Sequence, residues 1–293
     1  MAEYLVRGLA FGGSVRVFAV DSTEPVGEAQ RRHGMWPTAT AAVGRLMTGG
    51  VMFGAMLKGD DKVVLKIDGG GPLGAILVDS NAHCGVRGYA KHSQTHLELS
   101  SKGKLDVGGA VGKDGMLSVI KDLGMRDFFT GQSPIVSGEI AEDLTYYFAV
   151  SEQVPSSVGL GVLVDTDNSV LAAGGFIVQL MPDADEAAIA KLESSLANIQ
   201  PVSKMIQLGY SPERILEEIF GDGNVEILDR IPVKFECNCS KERFAEGIIG
   251  LGKEEIQKMI EEDGSAETQC HFCLETYHYS KEELEALIDE LRQ

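Results

Sequence analysis

Four of the chain's five cysteines fall between residues 237 and 273, leaving Cys84 alone in the first 236 positions. They read Cys237-Asn238-Cys239 and, after 30 intervening residues, Cys270-His271-Phe272-Cys273. The start, Met1 to Gly13, lacks the basic segment and apolar stretch of a secretory leader, so a cytoplasmic location is expected. In a reducing compartment such a cluster points to a metal or redox site rather than a disulfide framework. Tetrahedral zinc binds thiolate sulfur at about 2.3 Å, which brings four sulfurs within roughly 4 Å of one another. Each close pair supplies one edge of that tetrahedron. The pattern therefore predicts one Zn2+ per chain, held by Cys237, Cys239, Cys270 and Cys273 without Cys84. Spacing alone leaves two alternatives open, a purely structural zinc staple and an iron–sulfur cluster. A thioredoxin-like thiol enzyme at Cys270 and Cys273 lacks the βαβ surroundings that such a motif requires.

Ile231 to Gln293 carries 7 basic and 15 acidic residues, a net −8, in a segment too short to bury a large core. Units below about 70 residues usually need a metal, a disulfide or a partner surface to stay folded. Thiolate ligands make that dependence reversible, because oxidation to disulfides removes them from the metal. In small zinc peptides the metal contributes about 10–16 kcal/mol, as much as the whole stability of a typical domain. The tail is thus expected to unfold when its cysteines pair. Two helices are legible in it: Glu254 to Glu262, with Ile256, Met259 and Ile260 on one face, and a capping box at Ser280-Lys281-Glu282-Glu283 leading into Leu284, Leu287, Ile288 and Leu291.

The whole chain has 293 residues, 44% of them apolar, enough for about two domains. Its net charge of −18 repels phosphate backbones and anionic lipid, so neither nucleic acid nor membrane is an expected partner. The longest uncharged run, Asn168 to Pro182, has 15 residues, short of the ~18 of a spanning helix.

From Tyr4 to about Pro182 the chain alternates apolar runs with glycines. Val15 to Val20, Val63 to Ile67, Leu73 to Val78, Val158 to Val164 and Val170 to Leu180 read as strands, the last two joined by a turn at Asp167-Asn168. Pro37 opens a helix across Thr38 to Leu57, and Gly138 to Gln153 is another. This mixed order predicts an α+β fold. Beyond Pro182, Ile189, Leu192, Leu196 and Ile199 recur at helical spacing, and Ser211-Pro212 caps a further helix through Ile215, Ile219 and Phe220. Asp183 to Asp222 therefore reads as a helical connector. The expected organisation is an N-terminal α+β core (1–182), a helical linker (183–230) and a small C-terminal zinc-binding domain (231–293).

Other signals carry less. Gly69 to Gly74 matches G-x-G-x-x-G, but Pro72 lies inside it and a strand rather than a helix follows. Gly112-Lys113 lacks the remaining residues of a P-loop. Cys84 reads as a small buried hydrophobe. His83, His92 and His96 lie close in sequence with no paired ligand motif, and read as exposed or structurally bonded. His271, inside the Cys-x-x-Cys knuckle, would tune the sulfurs without being a ligand.

Taken together, the residues resemble the heat-shock protein 33 family, the redox-regulated 33 kDa chaperonins, over essentially the full length. The resemblance is carried first by the two cysteine pairs and their spacing. Supporting stretches are Trp36-Pro37-Thr38-Ala39-Thr40-Ala41 continuing to Arg45-Leu46-Met47-Thr48, then Leu57-Lys58-Gly59, Gly70-Gly71-Pro72-Leu73-Gly74, and Tyr147-Phe148 with Ser151-Glu152-Gln153-Val154-Pro155-Ser156. The resemblance implies an ATP-independent holdase, inactive when reduced and zinc-bound. It also implies redox-active disulfides Cys270–Cys273 and Cys237–Cys239 that form on oxidation, expel zinc and loosen the linker. Unfolding client proteins would then be held, commonly by a homodimer. No catalytic residue is implied. The competing expectation is an enzyme or thiol oxidoreductase whose zinc domain is only structural.

Overall fold

The computed structural model describes residues 3–101, 103–182, 184 and 186–291. Asp183, where the connector was expected to begin, lies outside the described residues. The chain divides into two compact units, Met1–Glu236 and Cys237–Gln293. The fold is α+β, as the mixed order of strands and helices predicts.

The first unit opens with β1 (Tyr4–Ala10), β2 (Val15–Asp21), α1 (Thr23–His33) and α2 (Pro37–Gly54). It continues through β3 (Lys62–Asp68), β4 (Ile76–Asn81), β5 (Gly85–Ala90), α3 (Val107–Val111), β6 (Met116–Asp122) and β7 (Phe129–Pro134). Next come α4 (Ala141–Tyr147), a π-helical turn at Phe148–Glu152, β8 (Ser156–Val164) and β9 (Val170–Leu180). The unit ends with α5 (Glu186–Asn198), α6 (Val202–Gln207), α7 (Pro212–Phe220), β10 (Val225–Pro232) and β11 (Lys234–Phe235). Two sheets result, ordered β10-β1-β2-β9-β8 and β11-β5-β4-β3-β6-β7.

The five-stranded sheet is buried on both faces, so its strands split their apolar residues by parity. In β2, Phe18 and Val20 enter the core shared with α2 and the six-stranded sheet. Val15, Val17 and Ala19 face the other way, onto Leu192, Met205, Ile215, Leu216 and Ile219 of the connector helices. Ser211 caps α7, its hydroxyl accepting from the Arg214 N–H, and Pro212 stands in the first turn as expected. The amphipathic stripes of the connector thus find their apolar partner on the sheet, and β10 pairs antiparallel with β1 at its edge.

α2 is the centre of the first core. Every residue but Pro37 and Arg45 is buried, and its glycines set how closely it approaches the sheet. A Cβ at Gly54 would stand 2.4 Å from the Asn81 carbonyl oxygen, and one at Gly50 2.7 Å from a Val78 methyl. The strand expected over Leu73 to Val78 begins later, at Ile76, because the chain turns through a left-handed Gly74. The Gly69-to-Gly74 segment is a loop leading into that strand, so no helix follows it.

One buried charge organises the entry to α4. The Asp143 carboxylate is fully buried and accepts from the N–H groups of Val136 (2.8 Å), Ser137 (2.9 Å), Gly138 (3.4 Å) and Ile140 (2.9 Å). These bonds hold a loop in which both Gly138 and the branched Ile140 take positive φ. Replacing Asp143 with Ala leaves several buried donors without acceptors, and is expected to destabilise the first unit by about 4 kcal/mol. Asp143→Asn, which keeps one acceptor, should cost less. Denaturant melts followed by far-UV circular dichroism measure both.

The second unit contains α8 (Lys241–Leu251), α9 (Lys253–Glu262), β12 (Ser265–Gln269), β13 (Thr276–Ser280) and α10 (Lys281–Glu290). Its core is small: Ile248, Ile256, Ile260, Tyr279, Leu284, Leu287 and Ile288. The expected capping box is present, with Ser280 accepting from the Glu283 N–H and the Glu283 carboxylate accepting from the Ser280 N–H.

Candidate metal centre

Both cysteine pairs sit where short-range structure holds them. Cys237 and Cys239 lie on the extended stretch just before α8, whose cap is the Ser240 hydroxyl, accepting from the Arg243 N–H. The Arg243 guanidinium donates back to the Asn238 carbonyl at 2.8 Å, pinning the residue between the two cysteines. Cys270 and Cys273 occupy the turn between β12 and β13. There the Cys270 N–H donates to the Glu275 carbonyl and the Leu274 N–H to the Cys270 carbonyl, at 2.9 and 2.8 Å. Leu274 completes the turn in the left-handed region, with φ +59°. A knuckle of this form turns both sulfurs to one side.

The four sulfurs all lie within 4.8 Å of one another. Cys237 Sγ is 3.7 Å from Cys270 Sγ, and Cys239 Sγ is 3.3 Å from Cys273 Sγ. An edge of a tetrahedral thiolate site is about 3.8 Å for metal–sulfur bonds of 2.3 Å, so the set has the compactness that one tetrahedral ion requires. Cys270 and Cys273 are buried, and Cys237 and Cys239 half-buried. Burial raises the thiol pKa of Cys239 and Cys273, and for Cys273 the neighbouring sulfurs add to the rise. Four sulfurs this close can all carry negative charge only when a cation takes it up. Thiolate sulfur is also a soft donor, suited to zinc, copper(I) or iron rather than to calcium or magnesium. The residues present therefore fit a metal ion.

Tyr277 was not singled out from the sequence. Its hydroxyl donates to Cys239 Sγ at 3.3 Å, and that bond heads the causes that raise the phenol's own pKa. The alternation of β13 carried the signal, since Tyr277 shares a strand face with the buried Tyr279, while His278 points outward beside Glu267. Cys84 lies outside the cluster, in the first unit, fully buried, its thiol pushed up to about 12 by burial. His83 and His92 are exposed, and His96 bonds Thr38 Oγ1 at 3.0 Å, so these histidines are not brought together as ligands.

The model of the Hsp33 protein family matches residues 3–280. The chain belongs to the Hsp33 family. A 33 kDa chaperonin of Geobacillus sp. (strain WCH70) is 62% identical over 287 residues, covering 98% of this chain and 97% of the relative. The 33 kDa chaperonin of Bacillus subtilis (strain 168) is 60% identical over 288 residues, covering 98% and 99%. Among solved structures, the 33 kDa chaperonin (heat shock protein 33 homolog) of Thermotoga maritima superposes with a TM-score of 0.90 at 38% identity, covering 99% of each chain. The Hsp33 fold thus extends over both units. Among the described residues no helix is long and apolar enough to cross a membrane.

Metal analysis of the reduced protein is expected to give one ion per chain, unchanged in Cys84→Ser and lost or greatly weakened in Cys270→Ser; equal retention in Cys270→Ser would reject the ligand set. Because bound thiolates must be deprotonated, protons compete with the metal. Apparent affinity should fall by more than about tenfold between pH 8 and pH 6, read by competition with a chromogenic chelator.

Proposed function

We propose that this Hsp33-family protein is a redox-regulated, ATP-independent holdase chaperone with no enzymatic activity of its own. It is inactive when reduced with Zn2+ on Cys237, Cys239, Cys270 and Cys273, and it works in the cytoplasm. The observation that carries this reading is the meeting of four thiols at one point in a unit whose apolar core is small. The names of the relatives, 33 kDa chaperonins, support the chaperone part of it.

When bound, Zn2+ cross-links the two halves of the small unit and holds the thiolates charged. Two-electron oxidation of Cys270 and Cys273 by peroxide or hypochlorite forms one S–S bond and takes both sulfurs out of the ligand set; the same reaction joins Cys237 and Cys239. The ligand-poor unit then loses a stabilisation on the order of 10 kcal/mol, larger than its core can replace. In this reading residues 231–293 are the switch, 183–230 the linker that responds and 1–182 the lasting core. The linker's apolar stripe, with the sheet face it covers, becomes available to unfolding clients, and the active form is a homodimer.

Reduced, zinc-loaded protein and peroxide-treated protein should differ in suppressing the thermal aggregation of citrate synthase without ATP, only the oxidised sample being active. Equal activity in both, or none in either, would leave the metal as a staple and end this reading. Amide exchange should lose protection across 184–291 after oxidation and keep it in β2, β3 and β9.

A further inference from the structure

Strand parity places a cation on a core-facing surface. Arg16 shares its face of β2 with Phe18 and Val20, and its register partner across the ladder is Gln179 of β9. Gln179 is 1% exposed. Its Oε1 accepts from the Arg16 guanidinium, and its amide donates to Ser156 Oγ at 3.0 Å. Among the described residues Arg16 has no carboxylate in ion-pair contact, and only one edge of its guanidinium is used.

Around this arginine the surface of the first unit is indented by three clefts. A cavity of about 200 Å³ is walled by Arg16, Lys121 and Glu152, with Phe53, Met56 and Phe148 supplying apolar surface. A wider cleft of about 550 Å³, which shares Arg16, Val154 and Gln179 with it, is lined by Pro155, Leu180, Met181 and Ile189. A third cleft of about 250 Å³ lies between Phe18, Met56, Leu57 and Leu228. Arg16 borders all three. The wider cleft has the volume of a small-molecule site, and an apolar lining with a few converging polar groups is the usual make-up of such sites.

The charges specify the ligand. Glu152 Oε1 accepts from Lys121 Nζ at 2.7 Å and from the Tyr147 hydroxyl at 2.9 Å, so Lys121 is neutralised, and among the described residues that line the wider cleft Arg16 alone is charged. Burial lowers the Arg16 pKa, opposed by the field of Glu152, which marks a charge held at a cost and served by no close counter-ion. The backbone around Glu152 is unusual as well: the π-helical turn at Phe148–Glu152 ends on Gln153 at φ +56°. π-Turns inside helices often occur at functional sites. A planar carboxylate matches the free guanidinium edge with two parallel hydrogen bonds, and a dianion would exceed the one positive charge that lines the wider cleft.

We propose that the cleft around Arg16 binds a monoanionic carboxylate carried on an unbranched apolar chain, the carboxylate on Arg16 and the chain along Leu180, Met181 and Ile189. This site is built without the cysteine cluster; Ile189 belongs to the connector stripe that the holdase reading releases on oxidation, so the site is tested in the reduced protein.

The test is isothermal titration of reduced, metal-loaded protein with decanoate, 1-decanol and decyltrimethylammonium. Decanoate should bind saturably at one site per chain, at least about tenfold tighter than decanol, the worth of a charge-assisted hydrogen bond. Decyltrimethylammonium should be weaker still. Arg16→Gln should reduce decanoate affinity by about tenfold or more and leave decanol unchanged. Glu152→Gln, which removes the competing anion, should tighten decanoate binding, an effect that general loosening of the fold would not produce. No saturable decanoate binding, decanol binding as tightly as decanoate, or unchanged affinity in Arg16→Gln would overturn the proposal. Should Arg16→Gln fail to fold, weaker or unchanged binding in Glu152→Gln would do so.

Discussion

Four thiol groups within 4.8 Å of one another, two of them buried, set the terms for the second unit. As thiolates they would repel strongly, and as thiols they offer only weak hydrogen bonds. Neither state alone explains why the chain brings them to one point. A soft cation would, since it would bind the charged form and join the stretch before α8 to the turn between β12 and β13. The rest of the unit has a small core of seven buried apolar residues, an acidic composition, and serine caps on α8 and α10.

The first unit rests on different physics. Its core forms around α2, nearly all of whose side chains are buried, and glycine at Gly50 and Gly54 allows the helix to approach β4 closely. The five-stranded sheet has apolar residues on both faces, so it must be covered twice: by α2 and the second sheet on one side, and by α5, α6 and α7 on the other. That demand makes the connector helices structural as well as connective. A segment that covers an apolar sheet face is also one whose release would expose that face, which is why stability and the proposed function meet in the same residues.

Several of these features were readable before any coordinates. Local signals served well where the chain's own neighbours decide the outcome: Pro37 opening α2, Ser211-Pro212 opening α7, the Ser280 capping box, the turn at Asp167-Asn168 and the amphipathic stripe of α5. Four strands late in the chain carry no such signal. The strands β10 and β11 gain their status from β1 and β5, more than 140 residues away, and β12 and β13 are short and rich in polar residues. The shift of β4 to Ile76 follows the same rule, because the loop through Gly74 is fitted to neighbours distant in sequence.

The amino-acid sequence by itself determined the chemistry on offer: which residues can be thiolates, how the two pairs are spaced, and that the tail is acidic and holds few apolar residues. It also determined the α+β class, through hydrophobic periodicity. Only the tertiary structure decided that the two pairs converge, that Tyr277 bonds Cys239, and that Arg16 and Gln179 meet on the inner side of a sheet. Ligand type and periodicity are properties of neighbouring residues, whereas convergence is set by turns and packing that join segments more than 30 or, for Arg16 and Gln179, more than 160 residues apart.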